Sequence, residues 1–329
     1  MGNCLVTKLK GSVNDTSILR LGELRVHFDK VSDPTGATQG INVAFDKECS
    51  LEVLGSDEAY FTDVTLAENN GKKISAPVGA KNIVVSNNDC DVAILNKYAI
   101  TSFKTINYNY KESPESKTVN INDFKYSKRL TTLSISRMQA SGDIEILKDL
   151  INLTNFNAYG CTNITGDISN LKNLTSLTNL VLNSVPVTGD ISNLSGMTGL
   201  ASLDIANTKV TGNIEALKNM TSLASLNIEG LSGLSGNLGI IPDGVKRIIC
   251  ANNASKFTWT STNKKKCFAC DGLYCDNIDQ MLNDMANMEA QFESENSWDK
   301  TIILYGTRTS VSDAAIATLE RKGYTVIVG

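Results

Sequence analysis

Apolar residues in the middle of this chain recur on one template. Ile168, Leu171, Leu174, Leu177, Leu180 and Leu182 are followed by Ile191, Leu194, Met197, Leu200, Leu203 and Ile205, and then by Ile214, Leu217, Met220, Leu223, Leu226 and Ile228. The steps of three suit a 3₁₀ or helical segment, and the closing pair with one polar residue between suits a short strand whose alternate side chains point inward. Glycine punctuates the pattern at Gly142, Gly166, Gly189, Gly212 and Gly236, at spacings of 24, 23, 23 and 24 residues, each followed by Asp-Ile, Asn-Ile or Asn-Leu. No single copy can bury its apolar face alone, so the pattern predicts coils stacked into one elongated core with a cover at each end.

These residues resemble the leucine-rich-repeat family, whose unit reads Leu-x-x-Leu-x-Leu-x-x-Asn-x-Leu, and the match covers about 120 residues, from near Leu130 to Asn253. The resemblance implies an α/β solenoid that works by presenting a surface to a partner. One departure stands out. At the family's asparagine position the chain has Met138, Cys161, Val185, Thr208, Leu231 and, last, Asn253. The loops are therefore expected to lean on apolar packing and on the Thr-Gly turns.

The flanks read differently. After the coils come Lys264-Lys265-Lys266, an amphipathic helix with Ile278, Met281, Leu282, Met285 and Met288 on one face, and a strand Thr301–Tyr305. An alanine-rich helix through Lys322, a terminating Gly323 and a strand Tyr324–Val328 close the chain. Asp276 with Asp279 three residues on is the expected N-terminal cap of the first helix. This ending resembles the last units of leucine-rich-repeat proteins from gut Bacteroidales and their phages, and implies a C-terminal strand-helix cap. Before the coils, Leu24–Phe28, Ile41–Phe45 and Asn82–Val85 alternate between turn residues, which predicts a small, mainly β domain. The expected division is residues 1–110 as a β-rich anchoring domain, 111–128 as a linker, 129–253 as the solenoid and 254–329 as capping repeats.

Composition narrows the function. With 31 basic and 35 acidic residues the net charge is -4, which offers no basic surface for nucleic acid. The opening residues lack the apolar run of an export signal, and no window approaches the ~20 apolar residues of a membrane span. The opening Asn3-Cys4-Leu5-Val6-Thr7-Lys8-Leu9-Lys10-Gly11-Ser12-Val13-Asn14, followed by Leu21-Gly22-Glu23-Leu24, resembles the start of virion proteins of gut Bacteroidales phages, the crAss-like group included. That resemblance implies a head fibre, tail fibre or capsid decoration made in the host cytoplasm and carried on the particle. It also implies other virion proteins as partners and a homo-oligomer, although no coiled-coil heptad marks one.

Candidate chemistry is sparse. Cys267, Cys270 and Cys275 with upstream Cys250 have the thiolates for a zinc site, but Cys250 falls on an inward repeat position, and packed free thiols are the alternative. His27 stands alone on the polar side of an alternating strand, so no triad is marked. Asp143, Asp167 and Asp190 recur with the coil, which suits turns and caps and leaves calcium as the competing reading. No cofactor is expected. The residues expected on the outer strand face include Thr154, Asn155, Asn157, Tyr159, Thr178, Asn179, Asn183, Ser202, Asp204, Asn207, Ser225, Asn227 and Glu229. This small polar field can hydrogen-bond a host-surface glycan with Tyr159 as stacking platform, meet a protein, or stay solvated. A Bacteroidales adhesin or intracellular interaction module is the alternative to a virion protein.

Overall fold

The computed structural model describes residues 24–28, 38–46, 49–55, 59–61, 73–76, 79–86, 90–94, 100–106, 117–251, 257–260, 265–291 and 300–329. Within the repeat region every coil has the same course. A three-residue strand such as Asn179–Val181 leads through a turn to a second strand, Thr188–Asp190, then to a 3₁₀ turn, Ile191–Leu194, and on to the next first strand, Ser202–Asp204. The first strands pair in parallel and in register, which sets Leu133, Phe156, Leu180, Leu203, Leu226 and Ile248 side by side. All six are fully buried. Burying each such side chain stabilises the fold by about 1.5–3 kcal/mol, and that gain exists only while the neighbouring coil is in place.

The glycine column is explained by how closely the coils stack. Gly166 has φ +124°, and a Cβ there would sit 2.4 Å from Asp143 Oδ1 and 2.7 Å from Ile144 Cγ1 of the preceding coil. A side chain is therefore refused twice, by backbone conformation and by the coil beneath. The acid or amide that follows each glycine does the work expected of a cap. Asp143, Asp167, Asp190, Asn213 and Asn237 accept from the backbone N–H two residues on, at 2.7–2.9 Å, where each 3₁₀ turn begins.

At the family's asparagine position Met138, Cys161, Val185 and Leu231 are buried, as expected from apolar packing. Two polar substitutes remain: the Cys161 thiol donates to the Ile135 carbonyl at 3.0 Å, and the Thr208 hydroxyl donates to Ile205 O at 2.8 Å. Asn253 lies outside the described residues.

The long sheet runs on past the repeats. Arg247–Ile249, Ala269–Tyr274, Thr301–Tyr305 and Thr325–Val328 extend it in parallel. Helices α1 (Ile278–Asn287) and α2 (Asp313–Arg321) replace the 3₁₀ turns in the last coils. α1 buries Ile278, Met281, Leu282 and Met285, the face the periodicity picks out, and Gly323 with φ +94° ends the turn after α2. The expected cap of α1 is corrected: its N-cap is Asn277, with no side-chain cap bond. Asp279 faces the next coil instead, accepting from Thr309 N, Thr309 Oγ1 at 2.7 Å and Ser312 Oγ at 2.6 Å.

The N-terminal β unit is built onto the solenoid through both sheets. Ile100–Ile106 pairs in parallel with the coil strand Thr132–Ser134 and antiparallel with Thr38–Phe45, followed outward by Gly79–Ser86 and Ala59–Phe61. Lys117–Asn120 pairs in parallel with Gln139–Asp143 and antiparallel with Leu24–Phe28, followed by Cys90–Ile94, Cys49–Gly55 and Lys73–Ala76. Part of the stretch read as a linker is thus coil: Lys117–Asn120 is a strand, Ile121–Phe124 a 3₁₀ turn, and Asn120 caps it through Asn122 N at 3.0 Å. Residues 111–116 lie outside the described residues. Buried residues from Leu24 to Tyr324 form one hydrophobic cluster, and Phe103 meets Phe124 edge-on at 5.1 Å where the two parts join. Asp46 and Arg129 form an ion pair across the same join.

Candidate functional site

The coil strands present polar residues outward on either side of their buried centres, and the register sorts these into columns. Asn155, Asn179, Ser202, Ser225 and Arg247 form one, and Asn157, Val181, Asp204, Asn227 and Ile249 the next. Tyr159, Asn183 and Glu229 follow two residues further along their coils. These side chains are half-buried, apart from Ser225, which is exposed.

Several of them already serve the coil. Asn157, Asp204 and Asn227 each accept from the backbone N–H two residues on, at 3.0, 3.2 and 3.2 Å, which ties the end of the strand into its turn. Asn183 Nδ2 donates to Asp204 Oδ2 at 3.4 Å. Asn207 belongs to the turn, with φ +54°. Thr154 and Thr178, on the same face, use their hydroxyls along the stack of coils. Each donates to a carbonyl one coil back, Thr154 to Thr131 O at 2.9 Å and Thr178 to Thr154 O at 3.1 Å, and Thr131 does the same to Thr101 O across the join with the N-terminal unit. The Arg137 guanidinium lies 5.4 Å from the Tyr159 ring centroid, in cation–π range.

Burial raises the Asp204 carboxyl above its ordinary range, against the lowering pull of Ala206 N–H and of Asn183 and Asn227. The charged form of this acid is therefore held in a place that disfavours it. Arg137, Lys104, Arg247 and Asp271 are charges on or beside the face that the sequence reading did not single out. Arg247 and Asp271 fall in the two columns, with Nη2 to Oδ2 at 3.9 Å, and carrying the columns two coils further reveals them. Arg137 occupies the left-handed turn position shared with Gly160, Ser184, Asn207 and Gly230, which no polar alternation marks.

Cys250, Cys267, Cys270 and Cys275 are buried free thiols in the C-terminal coils. Burial pushes the thiols of Cys250, Cys270 and Cys275 upward, and that of Cys161 up to about 11. Among the described residues no group of three or more His, Cys, Asp or Glu side chains is placed to hold a metal ion. The side chain of His27 and the opening segment, residues 1–23, lie outside the described residues. No described helix is long and apolar enough to cross a membrane.

No protein-family model matches the chain, and no curated protein matches it. Among solved structures it is similar to the leucine-rich-repeat ectodomain of the receptor kinase SOBIR1 from Arabidopsis thaliana, at 20% identity over 37% of this chain and 68% of that one, with TM-score 0.31. It is also similar to the Arabidopsis receptor kinase HAESA, in a complex with the peptide hormone IDA and the co-receptor SERK1, at 21% identity over 58% of this chain and 33% of that one, with TM-score 0.42. A plant ice-binding protein matches at 15% identity over 64% of this chain and 77% of that one, with TM-score 0.36. The fold itself, a leucine-rich-repeat solenoid, is written in the stacked coils and their register.

Proposed function

We propose that this protein is a binding protein of a phage particle, which displays the outer strand face of its solenoid while the N-terminal β unit is directed toward other virion proteins. One observation carries the display reading. A continuous parallel sheet holds polar side chains in fixed columns, coil after coil, on a core that leaves the backbone little freedom. Rigid placement of this kind lowers the entropy lost on association, which suits recognition. The face offers amides, hydroxyls and charged groups to a partner, so binding is the role proposed for it.

The virion assignment is supported by the opening residues Asn3 to Asn14 and by the way the N-terminal unit, joined through both sheets, would hold the solenoid at a set angle to whatever it is anchored on. Purified particles probed with an antibody to the solenoid, with peptide mass spectrometry of the same preparation, test it. Labelled particles and stoichiometric recovery of the chain are expected. Recovery from host membranes or cytosol with clean particles would favour the Bacteroidales adhesin or interaction module instead.

A further inference from the structure

The long sheet has an unpaired side at its C-terminal end. Among the described residues Thr325–Val328 is its last strand, and no strand lies beyond it. Gly329 N–H donates to Leu304 O and Gly306 N–H donates to Gly329 O, both at 3.0 Å, so Gly329 turns its backbone groups toward Thr301–Tyr305. Backbone groups of an extended strand alternate between its two sides. Thr325 and Ile327 therefore face the same neighbour as Gly329, and Val326 and Val328 turn N–H and C=O toward the open side.

Proteins usually blunt such an edge with lysine, proline or a bulge. Thr325-Val326-Ile327-Val328 has none of these, and its register with Thr301–Tyr305 runs without a shift. The outer face also changes character here. The coils set Asn155, Asn179 and Ser202 side by side, whereas these strands set Ile303 beside Ile327 and Tyr274 beside Tyr305. Ile327 is 48% exposed and Tyr305 42%, while Val326 and Val328 pack against the core from the other face.

A second copy of the same strand fits this edge by symmetry. Run antiparallel about a twofold axis at Ile327, Val326 meets Val328 of the other copy and Val328 meets its Val326, and each pair exchanges both N–H···O bonds from the groups that face outward. Ile327 then lies opposite its own counterpart in a non-hydrogen-bonded position, where side chains approach most closely. The apolar row of Ile303 and Ile327 runs on into the same row of the other copy, which takes exposed apolar surface out of water. A twofold closes the pairing, because both copies use the same edge.

We propose that two copies of this chain join edge to edge through Thr325–Val328, antiparallel and centred on Ile327, so that their long sheets become one. The pairing does not depend on what the coil face binds. So short a contact belongs with the small, reversible interfaces.

Sedimentation of the full chain from micromolar to submillimolar concentration tests it. A reversible rise from the chain mass of 35.5 kDa to twice that value is expected. Ile327→Lys changes an exposed side chain and sets like charges opposite one another at the axis, which is expected to weaken dimerisation about tenfold or more. Val328→Pro removes an N–H that faces the open edge and is expected to act in the same direction. Ile327→Cys brings two thiols across the axis, with Cα atoms ~4.5 Å apart, within disulfide reach. Oxidised glutathione is expected to cross-link that variant, itself being reduced to two thiols as the new disulfide forms. Thr325→Cys, opposite Gly329 of the other copy, is expected to resist, as the unsubstituted chain does. A monomer at every concentration, growth past the dimer, a dimer indifferent to Ile327→Lys and Val328→Pro, or equal cross-linking of the two cysteine variants overturns the proposal. Should Val328→Pro fail to fold, seen in Trp259 fluorescence, Ile327→Lys and the cross-linking pair decide.

Discussion

At Asp204 a single side chain serves its coil less well than the asparagine that two equivalent coils use. Its carboxylate accepts Ala206 N–H as Asn157 and Asn227 accept theirs, but burial raises its pKa above the ordinary 3.8. For an acid raised on folding, the native state favours the protonated form, so stability is greatest below 3.8 and is lost as pH climbs through the folded value. Asp204→Asn is therefore expected to stabilise the protein at neutral pH by about 0.5–1 kcal/mol, the usual scale of one optimising substitution. Melting curves across pH check it, because the gain should vanish in acid, and an equal gain at all pH would place its origin elsewhere. Gly166 makes the opposite point. Alanine there would need a left-handed backbone and would press Asp143 Oδ1, the oxygen that caps the preceding 3₁₀ turn. Gly166→Ala is expected to cost about 2–4 kcal/mol in chemical denaturation, from backbone strain and overpacking together.

The element is the level at which the sequence was most readable, and where its limits are most specific. Steps of three ending in Leu-x-Leu announced the 3₁₀ turns and strands between Ile168 and Ile228, because each coil repeats one burial pattern. The first coil escaped that reading. Its Val119-Asn120-Ile121 carries valine where later coils carry glycine, and the reason is its neighbour: Lys117–Asn120 rests on the antiparallel strand Leu24–Phe28, not on a capped coil that would clash with a Cβ. The outward positions of Asn155, Asn157 and Asn179 follow from alternation, whereas the inter-coil use of the Thr154 and Thr178 hydroxyls depends on carbonyls 23 and 24 residues away. Asp279 was misread for a related reason. It lies in the first turn of α1, where an acid usually serves its own helix, yet its partners are 30 and 33 residues on. Those bonds hold its carboxyl below the ordinary 3.8, so their contribution is present above that value and is lost as pH falls through the folded one. Asp279→Ala is expected to release Thr309 and Val311, seen as faster amide exchange there at neutral pH, with α1 itself still protected. Loss of protection throughout α1 would mean that Asp279 supports its own helix after all.

On the scale of the whole molecule, the N-terminal unit stands to the first coil as one coil stands to the next. Ile100–Ile106 extends the long sheet, Lys117–Asn120 extends the second, and the threonine ladder crosses the join through Thr131 to Thr101 O. Backbone pairing between segments 30 residues apart leaves no trace in hydrophobic spacing, which is why a linker was expected there. In a stack of this kind, stability is a sum of unit terms and neighbour terms, so a weakened join acts on both sides of it. Phe124 sits at that join, fully buried and edge-on to Phe103. Phe124→Ala is expected to destabilise by about 3–5 kcal/mol, the range for removing a buried aromatic side chain. Where the loss is felt is the sharper readout. Trp259 is buried in the C-terminal coils and reports unfolding far from the substitution. If the join couples the parts as strongly as two coils, the Trp259 fluorescence transition and the exchange of N-terminal amides shift together. A shift confined to the amides of residues 24–106 would instead show an N-terminal unit that unfolds on its own, and a solenoid that needs no cover at that end.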